Sequence, residues 1–104
     1  MTHRSVPDVA AEVQVQSGGI VSKVIHRDDS LNITAFAFDT DQELTEHRTA
    51  RTALVQVITG RLQLTVDGTE HDAGPGFWLH MAPDTPHSLI ASEPTIMLLT
   101  LLRP

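Results

Sequence analysis

The sequence predicts an all-β domain, a sandwich or small antiparallel β-barrel, preceded by one short helical turn. Two observations carry this. From Ile20 to Leu102, short runs rich in Val, Ile, Leu, Phe and Thr follow one another at even spacing, separated by Gly, Pro, Asp and Ser, the pattern of a sandwich or barrel. Beyond the first turns, no segment repeats its apolar residues at the helical period.

Residues 1–4 read as a loose terminus. Ser5-Val6-Pro7-Asp8 caps a short helical turn running to Glu12, with Pro7 tolerated near a helix start, and Gly18-Gly19 closes the segment. Residues 1–17 are therefore expected to be an N-terminal arm and 18–104 one barrel domain. Ile20–Arg27 is the first strand, ended by the Asp28-Asp29-Ser30 turn, and Leu31–Phe38 is the second, with Ile33, Thr34 and Phe36 favouring extended backbone. Residues 39–51, with acidic side chains at 39, 41, 43 and 46, read as a polar loop. Ala53–Thr59 and Leu62–Val66 flank Gly60. Asp67-Gly68 is the strongest hairpin signal, a type I′ turn into residues 69–72. Residues 77–82, 87–92 and Thr95–Leu102 complete the set, with turns at Pro83-Asp84-Thr85-Pro86 and Glu93-Pro94.

At 104 residues the chain makes one core and not two. Its net charge of −6 and scattered Lys and Arg exclude a phosphate-neutralising nucleic-acid surface. The absence of cysteine excludes disulfides, zinc knuckles and thiol nucleophiles, leaving imidazole, carboxylate and amide groups as metal ligands. No apolar run approaches the roughly 18 residues of a membrane span, and Asp8 and Glu12 interrupt the N-terminus. A soluble cytoplasmic protein is expected, with no membrane partner.

Leu31–Phe38, Ala53–Thr59 and Thr95–Leu102 are apolar on both faces. An antiparallel strand with one face in water alternates instead, so the second face is expected to be covered by another sheet or another subunit. A homodimer is the expectation, since such strands left bare invite aggregation.

The order of motifs resembles the cupin superfamily, over roughly Ile33 to Leu102. Glu46-His47, Val57-Ile58-Thr59-Gly60 and Val66-Asp67-Gly68 are similar to the first cupin motif and its hairpin. Ala73-Gly74-Pro75-Gly76 and Pro83-Asp84-Thr85-Pro86-His87-Ser88-Leu89 are similar to the second, and Ile96-Met97-Leu98-Leu99-Thr100 to the last strand of short stand-alone cupins. The resemblance implies a small cupin-type antiparallel β-barrel, jelly-roll-like, with its site inside. Thirteen residues before Gly60, His47 takes the place of the family's first histidine, and His87 takes that of the last. Thr49 stands where the second histidine is expected and Ala53 where the glutamate is, so the first motif is degenerate. Asp84 replaces a usual glycine in the turn before His87.

A catalytic divalent metal generally takes three protein ligands and an open position. His47 and His87 supply two, and the third is expected from His80 or Gln56, the polar intruders in apolar strands, or from a carboxylate such as Glu43, Glu46 or Asp84. Each has a plainer reading as a surface or hydrogen-bonded side chain. His3, His26 and His71 read as surface residues. Ser88 cannot pair with His87, because neighbours on a strand point to opposite faces. Two functions follow. One is a cupin that binds a divalent metal (Zn, Ni, Fe, Mn or Cu) and a small organic ligand, with enzymatic activity an open question and no catalytic residue assigned. The other is a metal-free binding or sensor cupin with a pocket lined by Phe36, Phe38, Val55, Trp78 and Met81.

Overall fold

The computed structural model describes residues 2–103. After one turn of 3-10 helix, Val9–Glu12, come nine strands: β1 (Ile20–Arg27), β2 (Leu31–Phe38), β3 (Glu43–His47), β4 (Ala53–Thr59), β5 (Leu62–Val66), β6 (Thr69–Ala73), β7 (Trp78–Met81), β8 (His87–Ala91) and β9 (Thr95–Leu102). They form a five-stranded sheet, β1-β2-β9-β4-β7, and a four-stranded sheet, β3-β8-β5-β6. All pairings are antiparallel. The two sheets close over one core as a jelly-roll barrel. Among the described residues no helix is long and apolar enough to cross a membrane.

Local chemistry sets the turns. The Asp8 carboxylate accepts from the Ala10 amide at 3.1 Å and caps the 3-10 turn. Asp67 and Gly68 take φ of +47° and +80°, the two left-handed positions of a type I′ turn, and join β5 to β6. At Gly60, φ is +88° and a Cβ would run into the Pro94 carbonyl oxygen, so the β4–β5 corner needs glycine. Asp84 adopts φ of +65°. It supplies the left-handed residue for which the family pattern uses glycine, a conformation aspartate tolerates better than most residues.

One strand lies where the sequence predicts loop. β3 sits within residues 39–51 and pairs along β8 through Glu43↔Ile90, Leu44↔Leu89 and His47↔His87. It is an edge strand, mostly exposed apart from Leu44, so it lacks the alternation that marks a half-buried strand.

Register divides the side chains by face. Phe36 and Phe38 of β2, Met97, Leu99 and Leu101 of β9, Val55 and Val57 of β4 and Leu79 and Met81 of β7 share the inner face of the five-stranded sheet. They meet Leu62, Leu64, Leu89 and Ala91 of the facing sheet in the main core. The outer face of β2 is covered by the chain's own arm: Val6, Val9, Val13 and Val15 pack against Ala35, Ala37, Ile33, Ile96 and Leu98. The two-sided apolar character of β2 therefore has an intramolecular cause. On the outer face of β4 and β7, Trp78 remains 58% exposed.

Candidate functional site

His47 ends β3 and His87 begins β8, and the two are direct cross-strand partners. The register shifts between Leu44 and His47. This bulge returns His47 to the inner face after Leu44, although three positions separate them. The ring centroids lie 4.1 Å apart with an interplanar angle of 60°. His47 is exposed and His87 is 9% exposed, so the pair runs from the barrel mouth inward.

Both rings are anchored in the same way. Nδ1 of His47 lies 2.8 Å from the Thr45 carbonyl oxygen, and Nδ1 of His87 lies 2.9 Å from that of Thr85. A carbonyl only accepts, so each Nδ1 carries a proton and donates it, and a ring that carries no second proton keeps its lone pair on Nε2. Burial depresses the His87 pKa below its ordinary value; the Thr85 hydrogen bond opposes this, and the neighbouring His47 adds to the depression. At neutral pH, His87 is therefore an acceptor.

Two connections roof the pair. The Asp84 amide donates to the Thr49 carbonyl at 2.7 Å and Arg48 Nη1 to the Asp84 carbonyl at 3.3 Å, joining the β3–β4 loop to the turn before β8. The Asp67 amide donates to the Pro86 carbonyl at 2.8 Å, tying in the β5–β6 hairpin.

The other residues singled out from sequence do not join this pair. Gln56 is paired with Trp78, and Leu54 with His80. All four alternate with the inward Ala53, Val55, Leu79 and Met81, so they stand on the outer face. The expectation that His80 or Gln56 completes a metal site with His47 and His87 is corrected: a sheet lies between them. Trp78 likewise cannot line an interior pocket. Phe38, Val55 and Met81 are at most 4% exposed and Phe36 packs against them, so these residues are the packed core and not a cavity wall. Ala53, at the glutamate position, is fully buried, and Thr49 accepts the Arg51 amide on its hydroxyl at 3.3 Å. Among the described residues, no three His, Asp or Glu side chains converge as a metal-binding group. His71, expected at the surface, is half-buried on the inner side of β6, its ring centroid 5.7 Å from that of Phe77. Glu43 and Glu46 are exposed, as an acidic surface requires.

Two residues passed over in the sequence lie at the same end of the barrel. Arg103 Nη2 donates to Asn32 Oδ1 at 3.1 Å. Asn32 is opposite Leu101, and Leu101 is opposite Ala53, so they share the inner face. The signal was available: Arg103 continues the inward phase of Met97, Leu99 and Leu101.

A family model described as "Cupin domain" matches residues 36–101. Among solved structures, a conserved protein of unknown function from Streptococcus pyogenes is 29% identical, with 100% of this chain and 91% of that one covered at a TM-score of 0.87. A cupin 2 conserved barrel domain protein from Leptotrichia buccalis is 30% identical, with 91% of this chain and 46% of that one covered at a TM-score of 0.84. A cupin superfamily protein from Desulfitobacterium hafniense shares the fold at 19% identity and a TM-score of 0.88, with 100% and 94% covered. The comparison with curated proteins gives no match.

Proposed function

This chain belongs to the cupin domain family, and on that premise we propose that it is a small-molecule-binding cupin whose ligand-contacting centre is the His47–His87 pair. The observation that carries the reading is the shared anchoring of the two rings: each Nδ1–H is committed to a carbonyl, and each Nε2 is left as an acceptor. Two imidazoles 4.1 Å apart, in their neutral forms, accept hydrogen bonds from a ligand hydroxyl, amide or ammonium, and either one can take a proton from it. The buried His87 fixes the inner end of the ligand, and the exposed His47 meets it at the mouth.

A second reading is favoured by the same anchoring. Metal-binding histidines characteristically donate their other ring nitrogen to a carbonyl or carboxylate, which fixes tautomer and orientation. The donor chemistry of the pair therefore suits a divalent ion, held by the two Nε2 atoms with water or the ligand completing its shell. Imidazole favours Zn, Cu, Fe or Ni over Mn. Such an ion would supply Lewis-acid polarisation of a bound oxygen.

Thermal shift tests both readings. Small polar metabolites, and separately Zn or Ni with and without chelator, are titrated into the wild type and the His47→Ala/His87→Ala double variant. Stabilisation of a few degrees in the wild type, lost in the double variant, is expected. Equal stabilisation of both proteins contradicts a role for the pair, and dependence of all ligand binding on added metal selects the second reading.

The proposal extends to assembly. A second copy packs on the outer face of β4 and β7, where Leu54 and Ile58 are half-buried and Trp78 is exposed opposite Gln56. Tryptophan is enriched among interface anchors.

A further inference from the structure

The barrel end that holds the imidazole pair also holds a guanidinium that has no anionic partner among the described residues, and the geometry points to a small-molecule carboxylate as the ligand class of this site. Arg103 takes the carboxylate, and His47 and His87 contact the rest of the molecule. The inference rests on the pair being the ligand-contacting centre.

Placement comes from register. Met81, Ala53, Leu101 and Asn32 form one cross-strand row on the inner face of β7, β4, β9 and β2. Residues 48–52 connect His47 to Ala53, and residues 82–86 connect Met81 to His87. The row and the imidazole pair therefore mark the same end of the barrel on facing sheets. Arg103 follows Leu101 by two positions and reaches Asn32 with Nη2, which puts its guanidinium at the β2 end of this row.

The chemistry at Arg103 is incomplete. Its Nε is buried without a hydrogen-bond partner, and Asn32 is a neutral acceptor. Among the described residues, the ion pairs are Lys23–Glu12, His26–Asp28 and Arg61–Asp72, and Arg103 is in none of them. In the adjoining hairpin, the Asp28 carboxylate is engaged by His26 Nε2 and by the Ser30 and Leu31 amides. A planar guanidinium with free N–H donors matches a carboxylate in shape and charge.

The rest of the site admits a negative charge. Ala53 occupies the position where the family resemblance implies a glutamate, so no carboxylate repels the ligand there. The anchored imidazoles, in their neutral forms, accept hydrogen bonds through Nε2. They meet hydroxyl or amide hydrogens on the ligand body while Arg103 holds its charged end. One arginine beside one amide suits a monoanionic, planar carboxylate better than a phosphate, which more often calls on a nest of backbone amides or several cations.

Titrations followed by NMR test this on the full chain. The reporters are the Arg103 Nε–H signal and the ring Cε1–H signals of His47 and His87. The probes are acetate and benzoate, their uncharged counterparts acetamide and benzamide, and inorganic phosphate. The carboxylates are expected to move all three reporters together and to bind at least about tenfold more tightly than the amides. Arg103→Gln, checked for folding by its amide spectrum, is expected to erase that advantage. Equal binding of carboxylates and amides overturns the inference, as does an advantage that survives in Arg103→Gln or a response to phosphate alone. If amides move both rings while carboxylates leave Arg103 unaffected, the carboxylate class fails and the pair remains the binding centre. If carboxylates move Arg103 and neither ring, the pair itself fails as that centre and the inference falls with it.

Discussion

His47 and His87 face one another across the β3–β8 ladder with ring centroids 4.1 Å apart, each donating Nδ1–H to the carbonyl two residues before it. The repetition matters more than the proximity. Two histidines that meet by chance need not share a tautomer, whereas these two make the same Nδ1 hydrogen bond.

The first prediction concerns acid. Burial holds the His87 pKa below 6.5, while an unfolded histidine titrates at about 6.5. Between those values the unfolded chain binds more protons, so stability rises with pH and is fully present above about 6.5. It is lost as pH falls through the folded value. Thermal unfolding from pH about 7.5 to about 5 should show a falling Tm, with a shallower slope in His87→Gln. Equal slopes would contradict the burial argument.

A second prediction concerns the β1–β2 turn. The Asp28 carboxyl is held at about 2 by the His26 side chain and by the Ser30 and Leu31 amides. A carboxyl-carbon NMR titration should find it there, and His26→Ala should move it toward the ordinary aspartate value of about 3.9. The sign is opposite to that of His87: this contribution is present above the unfolded value and lost only as pH falls through about 2.

The third concerns the β4–β5 corner. Gly60→Ala combines a left-handed backbone with a clash against the Pro94 carbonyl, and should cost about 2–4 kcal/mol in denaturant unfolding. Gly68→Ala, where a Cβ meets nothing within 4 Å, should cost about 1 kcal/mol from backbone conformation alone.

The fourth concerns assembly. Trp78→Glu places a charge at the centre of the proposed dimer face, and sedimentation should then report a monomer where the wild type is a dimer. A wild type that sediments as a monomer, or a variant that still pairs, removes that face from consideration.

The fold was legible because its punctuation is chemical: Gly60, Asp67-Gly68 and the two proline turns each demand one backbone shape, and the strands between them came out nearly to the residue. The site was half legible. The positions of His47 and His87 relative to Gly60 and Pro86 singled out two candidates that the fold brings side by side, but Gln56 and His80, expected to join them, stand on the outer face. The reason lies in β4, where Leu54, Val55, Val57 and Ile58 are all apolar, so parity does not reveal which face is inward. β7, only four residues long, cannot settle it either. Edge strand β3 was hidden for the opposite reason, since only Leu44 is apolar among its five residues. Arg103 went unread because it stands just past an apolar strand, where a terminal charge looks like ordinary solvation.

The central claim is that the pair presents two unprotonated Nε2 atoms as a binding centre. Long-range nitrogen–proton NMR correlation of the imidazole rings at neutral pH, in free protein and with a stabilising ligand, tests it most directly. The account predicts that His47 and His87 both carry the proton on Nδ1 and that the Nε2 signals of both shift on binding. A proton on Nε2 of either ring, or ligand binding that leaves both Nε2 signals unmoved, would contradict it.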